Sequence, residues 1–256
     1  MTEPTTGQLV QYSAERGIAR IALDSPRNRN ALSAALMAQV EQALTAAAAD
    51  DDVRAVQLTH TGSTFCAGAD LGEARQGGMA TGTATMMALL RQIIALPKPV
   101  VASIDGHVRA GGLGLVGACD IAIAGPASSF AFSEVRLGLA PAIISLTTLP
   151  RLSARAAGRY YLTGETFGAP EAARIGLITE AVPDINAGTL VVLDALRAAS
   201  PQGLAETKPL LTTGLLASFE ASGDAVTAQS ARLFASPQAA EGMAAFLGRR
   251  PPSWAV

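Results

Sequence analysis

Cysteine and charge are the two things this chain has least of. Cys66 and Cys119 are its only cysteines in 256 residues, which excludes a disulfide framework or a cysteine-rich metal centre. Both read as free thiols that fill small buried volumes. Charged residues make up 16% and the formal net charge is −2. No basic block is present to hold nucleic acid. No apolar run is long enough to span a membrane: Leu89 to Val101 is broken by Arg91, Gln92, Pro97, Lys98 and Pro99. The start, Met1 to Gln11, is polar and unlike a signal peptide, so the cytoplasm is the expected location. With only two histidines, no zinc spacing, no Walker sequence and no Gly-x-Ser-x-Gly elbow, neither a metal nor a bound redox cofactor is expected.

What is abundant is apolar surface and glycine. Apolar residues reach 49% and glycines number 25. So much apolar surface with so little charge implies an oligomer. Two glycine-bearing segments carry the most information: Phe65-Cys66-Ala67-Gly68-Ala69-Asp70 and Ala110-Gly111-Gly112-Leu113-Gly114. Each follows an apolar run that reads as a buried strand, Val53 to Leu58 and Val100 to Ile104. Small residues at a strand exit let a ligand approach the backbone and leave N–H groups pointing at it. Two such turns facing one point make an oxyanion hole, and that implies enolate chemistry on a carbonyl compound.

Along the chain, Gly17 to Leu23 alternates as a half-buried strand does. Asp24 to Asn30 is a turn-rich loop, and Ser33 caps a helix running to about Ala49. A strand over Val53 to Thr59 precedes the first glycine turn. Residues 71–82 read as a polar, glycine-rich loop over a site, followed by a helix over Thr83 to Leu96 that Pro97 and Pro99 end. A strand over Val100 to Ile104, a short helix from Gly112 to Ala118, strands at Ile121 to Ala124 and Ser129 to Phe132, and a helical turn at Ser133-Glu134 follow. The alternation indicates an α/β fold, and from Gly188 the pattern is mostly helical. Gly112-Leu113-Gly114-Leu115-Val116-Gly117 matches a dinucleotide fingerprint, with Glu134 near the distance of its acidic partner. Its helix is too short for a βαβ crossover, which argues against that use.

Taken together in order and spacing, Ser25 to Leu32, Phe65 to Leu71, Lys98 to Ala102, Ala110 to Gly112, Cys119 to Ile121, Phe130 to Pro141 and Phe246 to Trp254 make the chain resemble the crotonase, or enoyl-CoA hydratase/isomerase, superfamily. The resemblance runs from Gly17 to the C-terminus. It implies a spiral of ββα units over residues 1–190, with an acyl-CoA site, and a helical trimerisation region over 191–256. Homotrimers or dimers of trimers are the implied assembly, and an acyl-CoA thioester the implied substrate, with CoA as part of it rather than a cofactor. The backbone N–H groups of Ala69 and Gly111 would hold the thioester oxygen. Pro26, Arg27, Asn30, Ala31 and Leu32, with Ala67, Gly68, Asp70 and Leu71, would contact CoA; Gly112, Gly114 and Pro141 complete the implied binding set.

Glu134 sits where the family carries a catalytic glutamate before a Leu-Gly step, here Leu137-Gly138. Its apolar neighbours Phe130, Phe132, Val135 and Leu137 should raise its pKa. The structural alternative is a first-turn acid that complements a helix dipole. Gly114 is the departure: hydratases place a second glutamate there. Its absence suggests open space for a branched or carboxylated acyl chain, with the bulkier segment Ala140 to Ser145 reshaping the pocket. Arg109 could meet an acyl carboxylate or pair structurally, and Arg27 and Arg29 could meet CoA phosphates or face solvent. His107 reads as a structural histidine rather than a base, and Glu73 as a solvated loop acid, the alternative being that it reaches the cavity. Asp70 reads as the anchor of its own turn, Asp120 as a brace for the next strand. Arg249, Arg250 and Trp254 could reach a neighbouring subunit's CoA site or close the trimer. The expected activity is hydration of 2-enoyl-CoA thioesters, with a one-carboxylate 3-enoyl to 2-enoyl isomerase and a non-catalytic acyl-CoA binder as alternatives.

Overall fold

The apolar runs become the strands of two sheets, and the helices between them close each turn of a spiral. The computed structural model describes residues 7–75 and 79–256. β1 (Val10–Glu15) and β2 (Ile18–Leu23) form an antiparallel hairpin. β1 has no counterpart among the sequence expectations: five of its six residues are exposed, so no apolar alternation announces it. α1 (Ala34–Ala49) begins at Ser33, whose hydroxyl accepts from the Leu36 N–H. Its buried face carries Leu36, Met37, Val40, Ala43, Leu44 and Ala47, the spacing of an amphipathic helix.

Three similar turns follow. β3 (Ala55–His60) and β4 (Thr64–Cys66) lead into α2 (Leu71–Arg75) and α3 (Met79–Ala95). β5 (Val100–Ile104) and β6 (His107–Arg109) lead into α4 (Gly111–Ala118). β7 (Ile121–Ala124) and β8 (Ser129–Ala131) lead through a 3-10 turn, Ser133–Leu137, into α5 (Ala142–Thr148). In each, the first strand joins a six-stranded sheet of order β1-β2-β3-β5-β7-β10 and the second a four-stranded sheet of order β4-β6-β8-β9. The β2-β3-β5-β7 pairings are parallel. A covered parallel sheet needs apolar residues on both faces, which is why all five residues of β5 are buried.

The remaining elements are α6 (Ala154–Thr163), β9 (Phe167–Gly168), α7 (Ala169–Arg174), β10 (Glu180–Ala181), α8 (Ile185–Ala198), α9 (Pro201–Phe234) and α10 (Pro237–Leu247). α8 runs unbroken across the 190/191 boundary. α9 is fastened to the core by Lys208, whose buried ammonium donates to the Ile93 and Lys98 carbonyls at 2.9 and 3.0 Å and lies 2.8 Å from Asp120 Oδ2. That carboxylate also accepts from the Val100 N–H at 2.7 Å, so Asp120 braces β5 as expected. Cys66 and Cys119 are free and buried, and burial pushes both thiols up to about 12.

One expectation about the elements fails. Residues 71–82 do not form one loop: Leu71–Arg75 are helical and α3 begins at Met79. Asp70 Oδ1 accepts from the Gly72 and Glu73 N–H groups at 2.8 and 3.2 Å, which starts a helix despite Gly72. Residues 76–78 of that expected loop lie outside the described residues.

Candidate active site

The two glycine turns meet. The loop before α1 is laced to the first turn: Leu32 N–H donates to Gly68 O at 2.8 Å, and Ala67 N–H to Arg29 O at 3.1 Å. Gly68 has φ +90°, and a Cβ there would lie 2.9 Å from Ala110 Cβ, 3.2 Å from Arg109 O and 3.5 Å from Gly111 N. Only glycine combines that conformation with so close an approach of the second turn. Ala110 itself is held at φ +46°, ψ −119°, a region an L-residue occupies only when its surroundings impose it. Its N–H is engaged by Ala131 O at 3.1 Å. Gly111 opens α4, where an N–H has no intrahelical partner. Among the described residues, neither the Ala69 nor the Gly111 N–H donates to a protein acceptor.

These turns line a cavity of about 800 Å³, and Glu134 lines it too. Glu134 stands in the 3-10 turn after β8, only 8% exposed, with Oε2 lacking a hydrogen-bond partner among the described residues. Burial raises its pKa to about 7, outweighing a hydrogen bond from its own backbone that acts the other way. That value lets a carboxyl group both take and return a proton near neutrality. The turn is fixed from two sides. The Phe132 ring packs at 4.4 Å from the Tyr161 ring centroid. On the other side, Gly138 at φ +72° closes the turn against the start of α10, where a Cβ would lie 2.7 Å from the Gln238 carbonyl carbon. Gly242 of α10 fits the same turn, its would-be Cβ 2.4 Å from Leu137 O.

Of the residues expected from the sequence, Leu32, Ala67, Ala69, Asp70, Leu71, Gly111, Glu134 and Pro141 line this cavity. Pro26, Arg27, Asn30, Ala31, Gly68, Gly112 and Gly114 do not. Asn30 is fully buried and its amide is spent on the loop: it accepts from the Ser25 N–H at 2.6 Å and donates to Thr64 O at 2.7 Å. Pro26 and Arg27 are exposed on the same loop. Gly112 is a packing glycine, its would-be Cβ 2.8 Å from Cys66 Cβ. The open space expected beside Gly114 does not exist: a Cβ there would meet Ile144 Cγ2 at 2.6 Å and Met86 Cε at 3.2 Å.

The other polar residues sort readily. Arg109 lines the cavity and donates to Val108 O, Ser129 O and Ser129 Oγ at 2.9, 2.7 and 2.9 Å. His107 shares Ser129 Oγ at 2.8 Å. Glu73 is not merely solvated: its Oε2 accepts from the Ala34 N–H at 2.9 Å, at the start of α1. Arg29 lines the cavity. Arg250 pairs within the chain, 2.7 Å from Glu241. Met86, Phe234 and Phe246 are lining residues that the sequence reading did not single out as such. They come from the middle or ends of separate helices, and only long-range packing brings them there.

Known proteins match along nearly the whole chain. The family described as Enoyl-CoA hydratase/isomerase matches residues 13–256. A crystal structure of an enoyl-CoA hydratase from Mycobacterium avium is 52% identical, with a TM-score of 0.91 over 96% of this chain and 99% of that one. A protein of Rhodobacter capsulatus named "Probable enoyl-CoA hydratase" is 35% identical over 95% of this chain and 96% of its own length. The 2,3-dehydroadipyl-CoA hydratase of Escherichia coli is 31% identical, covering 94% and 96%. A spiral of ββα turns, two abutting glycine turns and one buried glutamate thus recur in a chain whose relatives are named for a single chemistry, and the chain belongs to the enoyl-CoA hydratase/isomerase family of enzymes.

Proposed function

We infer that the chain moves a proton at the carbon next to the thioester carbonyl of an enoyl-CoA, with Glu134 as the acid and base. The observation that carries this is the buried Glu134 carboxyl, its Oε2 without a hydrogen-bond partner among the described residues, in the cavity shared with Ala69 and Gly111. Removing the α-proton leaves charge on the thioester oxygen. Two N–H groups with no protein acceptor are suited to take it, and a donor of this kind is worth about 3 kcal/mol of barrier. Leu32, Ala67, Asp70 and Leu71 would border the CoA arm. The chemistry calls for no metal or redox group, because a proton and an electron pair are all that move.

The relatives' names support hydration of 2-enoyl-CoA, branched or carboxylated acyl chains included. The 3-enoyl to 2-enoyl isomerisation is favoured by a specific observation, the packing at Gly114. The other two cavity carboxylates, Asp70 and Glu73, are engaged at helix starts. A homotrimer or dimer of trimers in the cytoplasm is the working assembly; Leu162, Leu210 and Leu211, each at least 70% exposed, are suited to burial against copies of the chain.

The test is direct. Purified protein is mixed with 2-enoyl-CoA and 3-enoyl-CoA esters, following the conjugated thioester absorbance and product mass. Turnover that survives Glu134→Gln at full rate removes Glu134 from the mechanism. Tight binding without turnover over the whole panel would instead mark a non-catalytic acyl-CoA binder.

A further inference from the structure

Among the described residues, the buried serine and threonine hydroxyls are engaged within the protein except at Thr64 and Ser230, and both of these line the cavity that holds Glu134. Thr64 lies on β4, paired with His107 of β6 in the polar part of the lining. Ser230 is the unexpected one. It is 7% exposed and stands on α9, one turn before Phe234, so that both side chains share a face of the helix. A serine inside a helix ordinarily returns its hydroxyl to the carbonyl four residues back. Thr212, Thr213 and Ser218 do this on the same helix, at 3.1, 2.6 and 3.0 Å. Ser230 makes no such bond, although a buried polar group without a partner lowers stability.

The surroundings say what the missing partner is. α9 packs against α3 and α5. To the cavity these helices bring Met86, Ile143, Ile144 and Phe234, and every charged lining residue comes from another element. The wall begins beside the second glycine turn, since Met86 Cε lies 3.8 Å from where a Cβ on Gly111 would stand. An acyl chain whose carbonyl meets the Ala69 and Gly111 amides suits this hydrocarbon wall, whereas the polar CoA arm does not. A serine hydroxyl both donates and accepts, so it suits an alcohol or a ketone. A carboxylate would be buried on this wall without a cation, which is costly. We propose that Ser230 is a specificity-determining residue: from the apolar wall it hydrogen-bonds a neutral oxygen, hydroxyl or keto, carried by the acyl chain beyond its reacting double bond. The proposal rests on the acyl-CoA reading above and narrows its substrate class to oxygenated acyl chains.

The experiment compares wild type with Ser230→Ala and Ser230→Cys on matched enoyl-CoA esters. One set has a plain chain. The others have the same length and carry a hydroxyl, a keto or a carboxylate group at successive carbons from C5 outward. Relative kcat/KM is read from product masses in mixtures, or relative Kd where an ester binds without turnover. Wild type should prefer a hydroxyl or keto ester at one position over the plain ester by about tenfold or more, and Ser230→Ala should abolish that preference. Ser230→Cys keeps the volume, weakens the hydrogen bond and should move the ratio the same way. Ser230→Ala should also melt no lower than wild type, since no bond within the protein is lost and alanine favours a helix. A wild type that prefers the plain or the carboxylate esters throughout overturns the proposal. So does a preference that Ser230→Ala leaves unmoved, or a lowered melting point, which would show the hydroxyl spent within the protein. A wild type that neither binds nor turns over any of the thioesters overturns the acyl-CoA reading instead.

Discussion

Two parts of the cavity lining are made in opposite ways. The edge at Ala69, Ala110 and Gly111 is made of backbone: small side chains, a strained alanine at φ +46° and N–H groups, with Gly68 at φ +90° packed behind them. The edge at Glu134, Met86 and Ile144 is made of side chains, set by the packing of α6 and α10 on one 3-10 turn and of α3 and α5 on α4. Backbone geometry is local and survives many side-chain changes. Side-chain geometry is collective, and one methyl group can redirect it.

The sharpest way to break this contrast is Glu134→Gln. If chemistry resides on the side-chain edge, kcat should fall by about 10²–10⁴-fold while thioester affinity changes little; a fall in affinity alone would shift the weight to the other edge. Next comes Gly68→Ala, which adds left-handed strain and overlap with Ala110. A stability loss of about 4 kcal/mol is expected in denaturant unfolding, and an unchanged midpoint would mean that the turns are looser than they look.

The pH dependence sharpens the side-chain half. As a base Glu134 must be ionised, so kcat/KM should rise with pH and level off above about 7. Stability runs the other way. The folded state holds this proton more tightly than the unfolded chain does, so the contribution of Glu134 to stability is greatest below the ordinary carboxyl value of 4.5 and declines as pH climbs to about 7. The loss is on the order of 3 kcal/mol and should be absent in Glu134→Gln when melting is followed against pH. The smallest effect belongs to Ala110→Gly. Relief of the strained backbone should raise stability by about 1 kcal/mol, while the rate falls because the Gly111 amide is held less firmly. A gain in both would deny that the strain serves orientation.

The backbone edge was legible in the sequence, and so was most of the spiral. Val100 to Ile104 and Ile121 to Ala124 announce strands by unbroken apolar runs, and Ser33 announces α1 by its capping chemistry. Gly68 and Gly111 point to close backbone approach because glycine has few other uses at a strand exit. Glu134 stood out through the family resemblance, and its apolar neighbours gave the direction of its pKa shift. Asn30 misled because a buried amide that ties a loop and one that faces a ligand are written with the same letter. Gly114 misled more instructively. A glycine says that a side chain is missing, and not whether a neighbour 30 residues on has taken the space. The 71–82 segment misled because the capping oxygen of Asp70 outweighs glycine's low helix propensity.

The fit of α10 on the Glu134 turn ties the acid to a distant part of the chain. Gln238 and Gly242 lie far along the sequence from Glu134, yet they seat directly on Gly138 and Leu137 of its turn. A side chain added at either glycine of this seat would push the helix off the turn and loosen the frame around the carboxyl. The reactive group is thus governed from outside its own neighbourhood, and an alteration on α10 is an alteration to the reaction centre.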